Sequence, residues 1–208
     1  MRKSSPLSLA VSHGLIDCVR LLLNAGSDPN RLSTDSIGRN ETPLCSVVRL
    51  GKLDLLNILL DCPDIDVNVT DFFGQTPVWL AVRERRPYFV DQLIRHQSFS
   101  MNCQSFLKRD TNPLYLSAKY INQGRVDCFK TLLNIGFVVD EDVLRLASKC
   151  NDQTVQVMVK NCSNINCQLT GHRVAVVVPT LKQLCRSKIR DIYLTITSSK
   201  PINFDNLQ

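Results

Sequence analysis

Thr76-Pro77-Val78-Trp79-Leu80-Ala81 is the stretch that decides the fold, because variants of it recur along the chain. A threonine or serine followed by proline is typical of a helix start. The hydroxyl accepts a hydrogen bond from a free backbone N–H, and proline at the first helical position loses nothing by lacking one. We predict that the leucine, leucine and alanine side chains of the pattern point into a core. The other copies are Ser5-Pro6-Leu7-Ser8-Leu9-Ala10, Thr42-Pro43-Leu44 and Asn112-Pro113-Leu114-Tyr115-Leu116-Ser117.

The prolines of the four copies lie 37, 34 and 36 residues apart. A Thr-Pro-Leu opening with a period near 33 residues resembles the ankyrin repeat, a pair of helices joined by a tight turn. Gly14, Gly51 and Gly124 lie where each repeat is expected to turn. The third copy has Arg85-Arg86-Pro87 instead, which we expect to alter the turn without abolishing it. Tetratricopeptide repeats have a similar period, but their Trp-x-x-Leu-Gly opening is absent.

Second helices are predicted after each turn, and two further glycines mark the repeat ends. Gly26 is suited to the left-handed conformation that ends a helix, and Gly74 to the turn of a connecting hairpin. Residues 142–159 form a degenerate fifth repeat without a Thr-Pro opening, as suits the end of a stack. The fold class predicted is an all-α ankyrin solenoid of four clear repeats and one degenerate repeat. The predicted second helices are 19–23, 55–60, 90–94 and 128–133.

Composition describes an ordinary globular protein, with 208 residues, 44% apolar and 21% charged. The net charge is +6, but the basic residues are scattered, so neither a nucleic acid nor a membrane is expected as a partner. The nine cysteines include no Cys-x-x-Cys pair. We expect them to behave as small buried apolar residues in a reducing compartment, which predicts a protein of the cytoplasm or the nucleus.

The C-terminal segment carries a second pattern. Thr180 is a good helix N-cap, and Leu181, Leu184, Cys185 and Ile189 follow at steps of three and four, so they share one helical face. By pattern alone this would be the last amphipathic helix of the domain. The order of the residues, however, resembles the elongin-binding segment that opens a SOCS box. That resemblance implies that Leu181 enters an apolar pocket of elongin C, with Leu184, Cys185 and Ile189 beside it.

Ankyrin repeats followed by such a segment resemble the ankyrin repeat and SOCS box family. The resemblance implies ankyrin repeats over 1–168, a linker over 169–178 and a SOCS box over 179–208. It also implies a substrate receptor of a ubiquitin ligase, with elongin B, elongin C, cullin-5 and its RING partner recruited by the box, and an unknown protein substrate held by the repeats. The alternative is an ankyrin scaffold that recruits no ligase.

The chain departs from the family at both ends. The cullin-binding part normally carries Leu-Pro-x-Pro, whereas residues 200–203 read Lys-Pro-Ile-Asn, which leaves Pro201 and Ile202 as the cullin-binding candidates. Either this motif is degenerate, or the true motif follows Gln208 in a longer chain. Met1 stands almost on the first repeat, so we expect a fragment or a short isoform.

No catalytic pattern occurs: the three histidines are isolated, and phosphate-binding, zinc-protease and serine-hydrolase motifs are missing. We therefore expect a binding protein without catalytic residues, cofactor or metal.

For the substrate, Phe72 and Phe73 at a hairpin tip are candidate anchors. Large aromatic residues mostly fill cores, and we expect this of Trp79 and Tyr115. A cluster of arginines would suit an acidic partner, although such a run is more often a solvated surface. These are Arg83, Arg85 and Arg86.

Overall fold

The computed structural model describes residues 4–34, 39–101, 108–123, 126–137, 139–150 and 152–159, and most of them are helical. One short antiparallel pair, β1 (Ser33–Thr34) with β2 (Asn40–Glu41), adds a small hairpin to the predicted all-α fold. Residues 153–159 are also helical. The α-helices are α1 (Pro6–His13), α2 (Ile16–Asn24), α3 (Pro43–Leu50), α4 (Leu53–Leu60), α5 (Pro77–Arg83), α6 (Pro87–Arg95), α7 (Pro113–Tyr120), α8 (Asp127–Asn134) and α9 (Glu141–Ala147).

The predicted helix starts are confirmed. The first helix of each of the first four repeats begins with proline, and the residue before it is a side-chain cap. Thr42 Oγ1 accepts from the N–H of Cys45 at 3.2 Å, and Thr76 Oγ1 accepts from that of Trp79 at 3.2 Å. Ser5 and Asn112 cap α1 and α7 in the same way. A side-chain cap of this kind is worth about 1 kcal/mol of helix stability.

The helices stack in two layers. Each first helix packs on the next one, in the order α1, α3, α5, α7 and α9, and behind them α2 packs on α4 and α6 on α8. The core lies between the layers and runs through the whole stack. No helix in the described part of the chain is both long and apolar enough to cross a bilayer.

Polar side chains also join neighbouring repeats. The amide of Asn30 donates to the carbonyl of Asp64 at 2.7 Å and accepts from the N–H of Asp66 at 2.9 Å. Asn68 repeats this arrangement one repeat later, with the carbonyl of Ser98 and the N–H of Ser100. Such bidentate bonds fix the spacing of successive repeats because each asparagine spans two backbone groups of its neighbour.

Two predictions about burial are wrong, and both fall in the first repeat. Leu9 is 38% exposed although its pattern predicted an inward side chain, and Cys18 is exposed although the cysteines were expected to be buried. The corresponding Leu80 is fully buried and Cys128 is partly buried. Interior repeats have a neighbour on each side, whereas among the described residues α1 and α2 are covered on one side only.

The degenerate fifth repeat is confirmed as two helices, α9 and residues 153–159. Asp140 replaces the Thr-Pro opening: its Oδ1 accepts from the N–H of Val143 at 2.8 Å. Glu141 and Asp142 add negative charge to the first turn, where the helix dipole favours it. Val143 and Ala147 are fully buried against the rest of the stack.

Candidate protein-interaction site

The hairpin between the second and third repeats presents two aromatic side chains to solvent. Phe72 is 71% exposed and Phe73 is 69% exposed. Their rings meet edge to face, with centroids 5.6 Å apart and an angle of 83° between the planes. Exposed phenylalanines are uncommon on protein surfaces, and paired rings are typical anchors of protein interfaces. We call these two residues the Phe72/Phe73 tip.

The backbone of the tip is held by Asp71. Its Oδ1 accepts from the N–H of Phe73 and from that of Gln75, both at 2.9 Å. Gly74 takes φ of +74°, which confirms the predicted turn, and the N–H of Phe72 donates to the carbonyl of Asn40 at 3.1 Å. The loop is therefore pre-organised, so a partner would order few groups on binding.

A buried charge cluster attaches the tip to α3. Asp71 and Glu41 are 4% and 2% exposed, and both face the guanidinium of Arg49. Arg49 Nη2 lies 3.0 Å from Glu41 Oε2 and 3.9 Å from Asp71 Oδ2. Ser46 Oγ donates to Glu41 Oε1 at 2.6 Å. Pairing and hydrogen bonding of this kind are what buried charges require.

Cations cover the aromatic rings of the first helices. Trp79 and Tyr115 are 7% and 9% exposed, which confirms the prediction that they pack in the core. The guanidinium of Arg83 lies 5.6 Å from the centroid of the Trp79 ring, and Lys119 Nζ lies 4.7 Å from that of Tyr115. In both pairs the cation follows the ring by four residues, which is one helical turn. That spacing is a sequence signal that the pattern analysis missed.

The three arginines have different surroundings. The side chain of Arg83 is 41% exposed and lies 3.6 Å from Glu84. Arg85 is exposed, and its guanidinium lies 5.3 Å from the centroid of the Tyr120 ring. Arg86 instead packs back onto the second repeat, where its guanidinium occupies the space that a Cβ on Gly51 would need. Its Nη2 also donates to the carbonyl of Arg49 at 3.3 Å.

The structure separates the predicted binding residues into two surfaces. The Phe72/Phe73 tip precedes α5, and the arginines lie at its other end and in the turn that follows. A helix of seven residues is about 10 Å long at 1.5 Å per residue. One partner protein can touch both surfaces, because an interface of ordinary size is wider than this separation. The residues predicted to bind elongin and cullin lie outside the described part of the chain: Leu181, Leu184, Cys185, Ile189, Pro201 and Ile202.

Two cysteines, the buried Cys45 and the partly buried Cys128, have thiols that stay neutral at pH 7. Burial raises the pKa of the Cys45 thiol to about 12, and the nearby carboxylates of Asp71 and Glu41 contribute to that rise. Burial and the neighbouring Asp127 raise the pKa of the Cys128 thiol to about 11. A neutral thiol is a poor nucleophile, so these cysteines contribute packing at neutral pH.

Comparison with known proteins agrees with this architecture. The sequence model of a family described as ankyrin repeats (3 copies) matches residues 2–71 and 44–143. An Arabidopsis thaliana protein named "Putative E3 ubiquitin-protein ligase XBAT31" is 33% identical over 114 residues, which cover 50% of this chain. The match spans 24% of that relative's own length. Because the family match spans more than half of the chain and the helix pairs stack as described, this chain belongs to the ankyrin repeat family.

Proposed function

We propose that this protein is the substrate-recognition subunit of a ubiquitin ligase that contains elongin B, elongin C, cullin-5 and a RING protein. Its ankyrin repeats bind the target, and its C-terminal segment binds elongin C. The protein itself catalyses no reaction and works in the cytoplasm or the nucleus. The observation that carries the binding half of the proposal is the exposed Phe72/Phe73 tip on a rigid stack.

Ankyrin repeats are modules of protein–protein interaction, and this stack has the features of a binding surface. An exposed aromatic pair gives a partner apolar area to bury, and each large side chain contributes about 2 kcal/mol when fully buried. The tip is fixed by Asp71, so little of that free energy is spent on ordering the loop. The target is therefore expected to present an apolar pocket or groove to the Phe72/Phe73 tip.

Two observations support the ligase half. The order Leu181, Cys185, Ile189 resembles the elongin-binding segment of a SOCS box. The relative described above carries a ligase name, and its likeness to this chain is consistent with a role in ubiquitin transfer. The runner-up function is an ankyrin scaffold without ligase recruitment, and the same experiment distinguishes the two.

The test is co-purification of the full chain with elongin B and elongin C at micromolar concentration. We expect a stable complex that Leu181→Asp abolishes and that Cys185→Ala weakens by about tenfold, as expected for a truncated contact in a desolvated pocket. Lys182→Ala is the matched control, because the helical pattern places Lys182 on the opposite face. If the wild-type chain does not bind, or if Leu181→Asp binds equally well, the scaffold function is favoured.

A further inference from the structure

The third, fourth and fifth repeats carry a basic residue at the same position, at the end of their first helices. The second residue of each of the three matching stretches is buried, so the stretches share one register. The basic residues that end them are all exposed. The stretches are Leu80-Ala81-Val82-Arg83, Leu116-Ser117-Ala118-Lys119 and Leu146-Ala147-Ser148-Lys149. We call Arg83, Lys119 and Lys149 the basic row.

The basic row does not continue into the first two repeats. Ser12 takes the equivalent position in the first repeat. In the second repeat the position belongs to Arg49, which the buried charge cluster with Glu41 and Asp71 already engages. The row is therefore a feature of the later repeats.

The stacking of the repeats sets the spacing of the basic row. α5 packs on α7, and α7 packs on α9. Packed helices lie about 8–10 Å apart, so the row extends over roughly 20 Å from Arg83 to Lys149. An extended peptide advances about 3.3 Å per residue, so every third residue of such a peptide meets the next cation.

Two of the cations are positioned by aromatic rings beneath them. The guanidinium of Arg83 lies 5.6 Å from the centroid of the Trp79 ring, and Lys119 Nζ lies 4.7 Å from that of Tyr115. Both rings are buried, so they give the cations a fixed support. A cation over a ring keeps its charge and its donors for a ligand. Fewer groups then have to be ordered on binding.

The basic row carries more positive charge than its neighbours neutralise. Glu84 Oε1 lies 3.6 Å from Arg83 Nε, but it also lies 3.8 Å from Arg49 Nη1, so two guanidinium groups share it. Lys119 and Lys149 have no carboxylate within 4.0 Å of their charged nitrogens among the described residues. Two cations of the row are thus unpaired, and the third has a shared partner.

Arg145 adds a fourth cation beside the row. In the fifth repeat it takes the position that Trp79 and Tyr115 take in theirs. Its Nη2 lies 3.6 Å from Asp142 Oδ1, while Asp142 Oδ2 lies 2.9 Å from Arg109 Nη2. This carboxylate is again shared between two guanidinium groups, so the surface keeps an excess of positive charge.

We propose that the basic row binds an extended acidic segment of the target protein, with carboxylates at every third residue of the segment facing Arg83, Lys119 and Lys149. The inference rests on the proposed function, in which the repeats hold the target, and it adds the chemistry of the segment that they hold. Each cation can donate a charge-assisted hydrogen bond to one carboxylate. The spacing of the stack then selects the segment by the positions of its charges.

A peptide suits the basic row better than a single-stranded nucleic acid does. Sites for single strands present aromatic side chains on which the bases stack. Along this row the rings of Trp79 and Tyr115 are buried beneath their cations. Glu84 beside Arg83 would also repel a chain that carries a charge on every nucleotide, whereas a peptide can place an uncharged residue there.

Trp79 is the only tryptophan of the chain, and it lies beneath the row, so its emission reports binding. The probe is the capped peptide Glu-Ser-Ser-Glu-Ser-Ser-Glu, and Glu-Glu-Glu-Ser-Ser-Ser-Ser is its control of equal composition. Both are titrated into the full chain at low ionic strength, where charges are least screened. We expect the spaced peptide to bind about threefold more tightly, because it alone reaches all three cations. Equal affinities, or unchanged emission at millimolar peptide, would overturn the proposal.

Lys119→Gln and Lys149→Gln each remove one charge from the row. Each should weaken binding of the spaced peptide about threefold, and the double variant about tenfold. Arg20→Gln on α2 removes an exposed charge elsewhere and should bind like the wild type. Melting temperatures check that each variant is folded, and Lys149→Gln decides the matter if Lys119→Gln is not. Equal affinities of the row variants and Arg20→Gln would show a diffuse charge effect and would overturn the proposal.

A thymidine tetranucleotide, with three phosphates, matches the charge of the peptide and tests the nucleic-acid alternative. We expect it to bind more weakly than the spaced peptide, and equal or tighter binding would overturn the proposal. These titrations contain no elongin. Their failure would therefore leave the elongin complex standing, and loss of that complex would leave the peptide affinities unchanged.

Discussion

In the second repeat, Gly51 makes the turn between the two helices, whereas Arg85 makes the corresponding turn of the third repeat. Both residues adopt a left-handed backbone, with φ of +73° and +60°. A Cβ on Gly51 would lie 1.8 Å from a nitrogen of Arg86, so a larger residue there has to displace that guanidinium. Arg85 has no such neighbour pressed against it, and its side chain is exposed. A left-handed turn residue thus allows close packing between repeats in the second repeat, and in the third repeat it exposes a cation.

The contrast extends to the residue two positions before each turn. The side chain of Arg49 is 12% exposed and faces Glu41, Asp71 and Glu84, whereas that of Arg83 is 41% exposed and has Glu84 as its ion-pair partner. Corresponding residues thus stabilise the stack in the second repeat and remain accessible in the third. The two arginines differ in the carboxylates that lie near them, so single substitutions can test what each arginine contributes.

The largest effect is expected from Arg49→Met. The substitution leaves Glu41 and Asp71 buried without their cation, which costs about 3–5 kcal/mol in the free energy of unfolding. Arg83→Met is the matched control, since its ion pair is partly exposed and should cost about 1 kcal/mol or less. Urea denaturation at pH 7 measures both. Similar losses for the two variants would refute the distinction between the second and third repeats.

A second difference concerns Cys45 in the second repeat, which occupies the position of Trp79 in the third. Burial raises the pKa of Cys45 to about 12, whereas an unfolded thiol titrates near 8.5. Between these values the folded state binds more protons than the unfolded state, so the free energy of unfolding falls as the pH rises. One such thiol contributes a slope of up to about 1.4 kcal/mol per pH unit.

Urea denaturation between about pH 8.5 and pH 11 tests this slope, the upper end staying below the folded pKa of Cys45. Cys45→Ala should lose stability at pH 7 but show a shallower decline in the alkaline range. Cys18→Ala, which removes an exposed thiol, should decline like the wild type. Cys128, with its pKa raised to about 11, titrates in every variant and does not affect the comparison. Parallel declines for Cys45→Ala and the wild type would contradict the burial argument.

The sequence predicted local features well because each depends on few residues. Thr42 and Thr76 cap their helices as expected, and Arg85 alters the third turn without abolishing it, since its left-handed φ preserves the bond from the N–H of Arg86 to the carbonyl of Ala81 at 2.9 Å. The first repeat forms the same bond from Leu15 to Ala10. Capping and turn formation depend on residues that are close together in the sequence, so the pattern located the helices.

Relations between repeats were not predictable in the same way. Arg86 was a candidate for substrate binding, yet its guanidinium lies on Gly51, and Lys52 lies on Gly14 in the same manner one repeat earlier. Each of these contacts joins residues more than thirty positions apart and depends on how closely two turns approach. The burial of Glu41 likewise depends on a partner, Arg49, that comes into reach only when the hairpin folds back onto α3.

Gly51→Ala should have an intermediate effect. A left-handed alanine costs roughly 1–2 kcal/mol, and the added Cβ must also displace the Arg86 guanidinium. The control is Gly26→Ala, where φ is +82° but nothing lies within 4 Å of the position that the new methyl carbon would take, so only the backbone cost applies. Thermal denaturation should therefore place Gly51→Ala below Gly26→Ala. Equal melting temperatures would mean that the contact of Arg86 with Gly51 contributes nothing to stability.

The smallest effect is expected at Arg85 itself, where opposing contributions nearly cancel. Arg85→Gly relieves a left-handed strain of roughly 1–2 kcal/mol. It also increases the conformational entropy of the unfolded chain, which costs about 0.4–1 kcal/mol of stability. The lost contact with Tyr120 costs about 0.5–1 kcal/mol more. Arg85→Ala also removes that contact but keeps the strain. We therefore expect the glycine variant to be the more stable of the two by about 0.5–1 kcal/mol in urea denaturation. The reverse order would show that residue 85 is held without strain, and the analogy between this turn and that of Gly51 would fail.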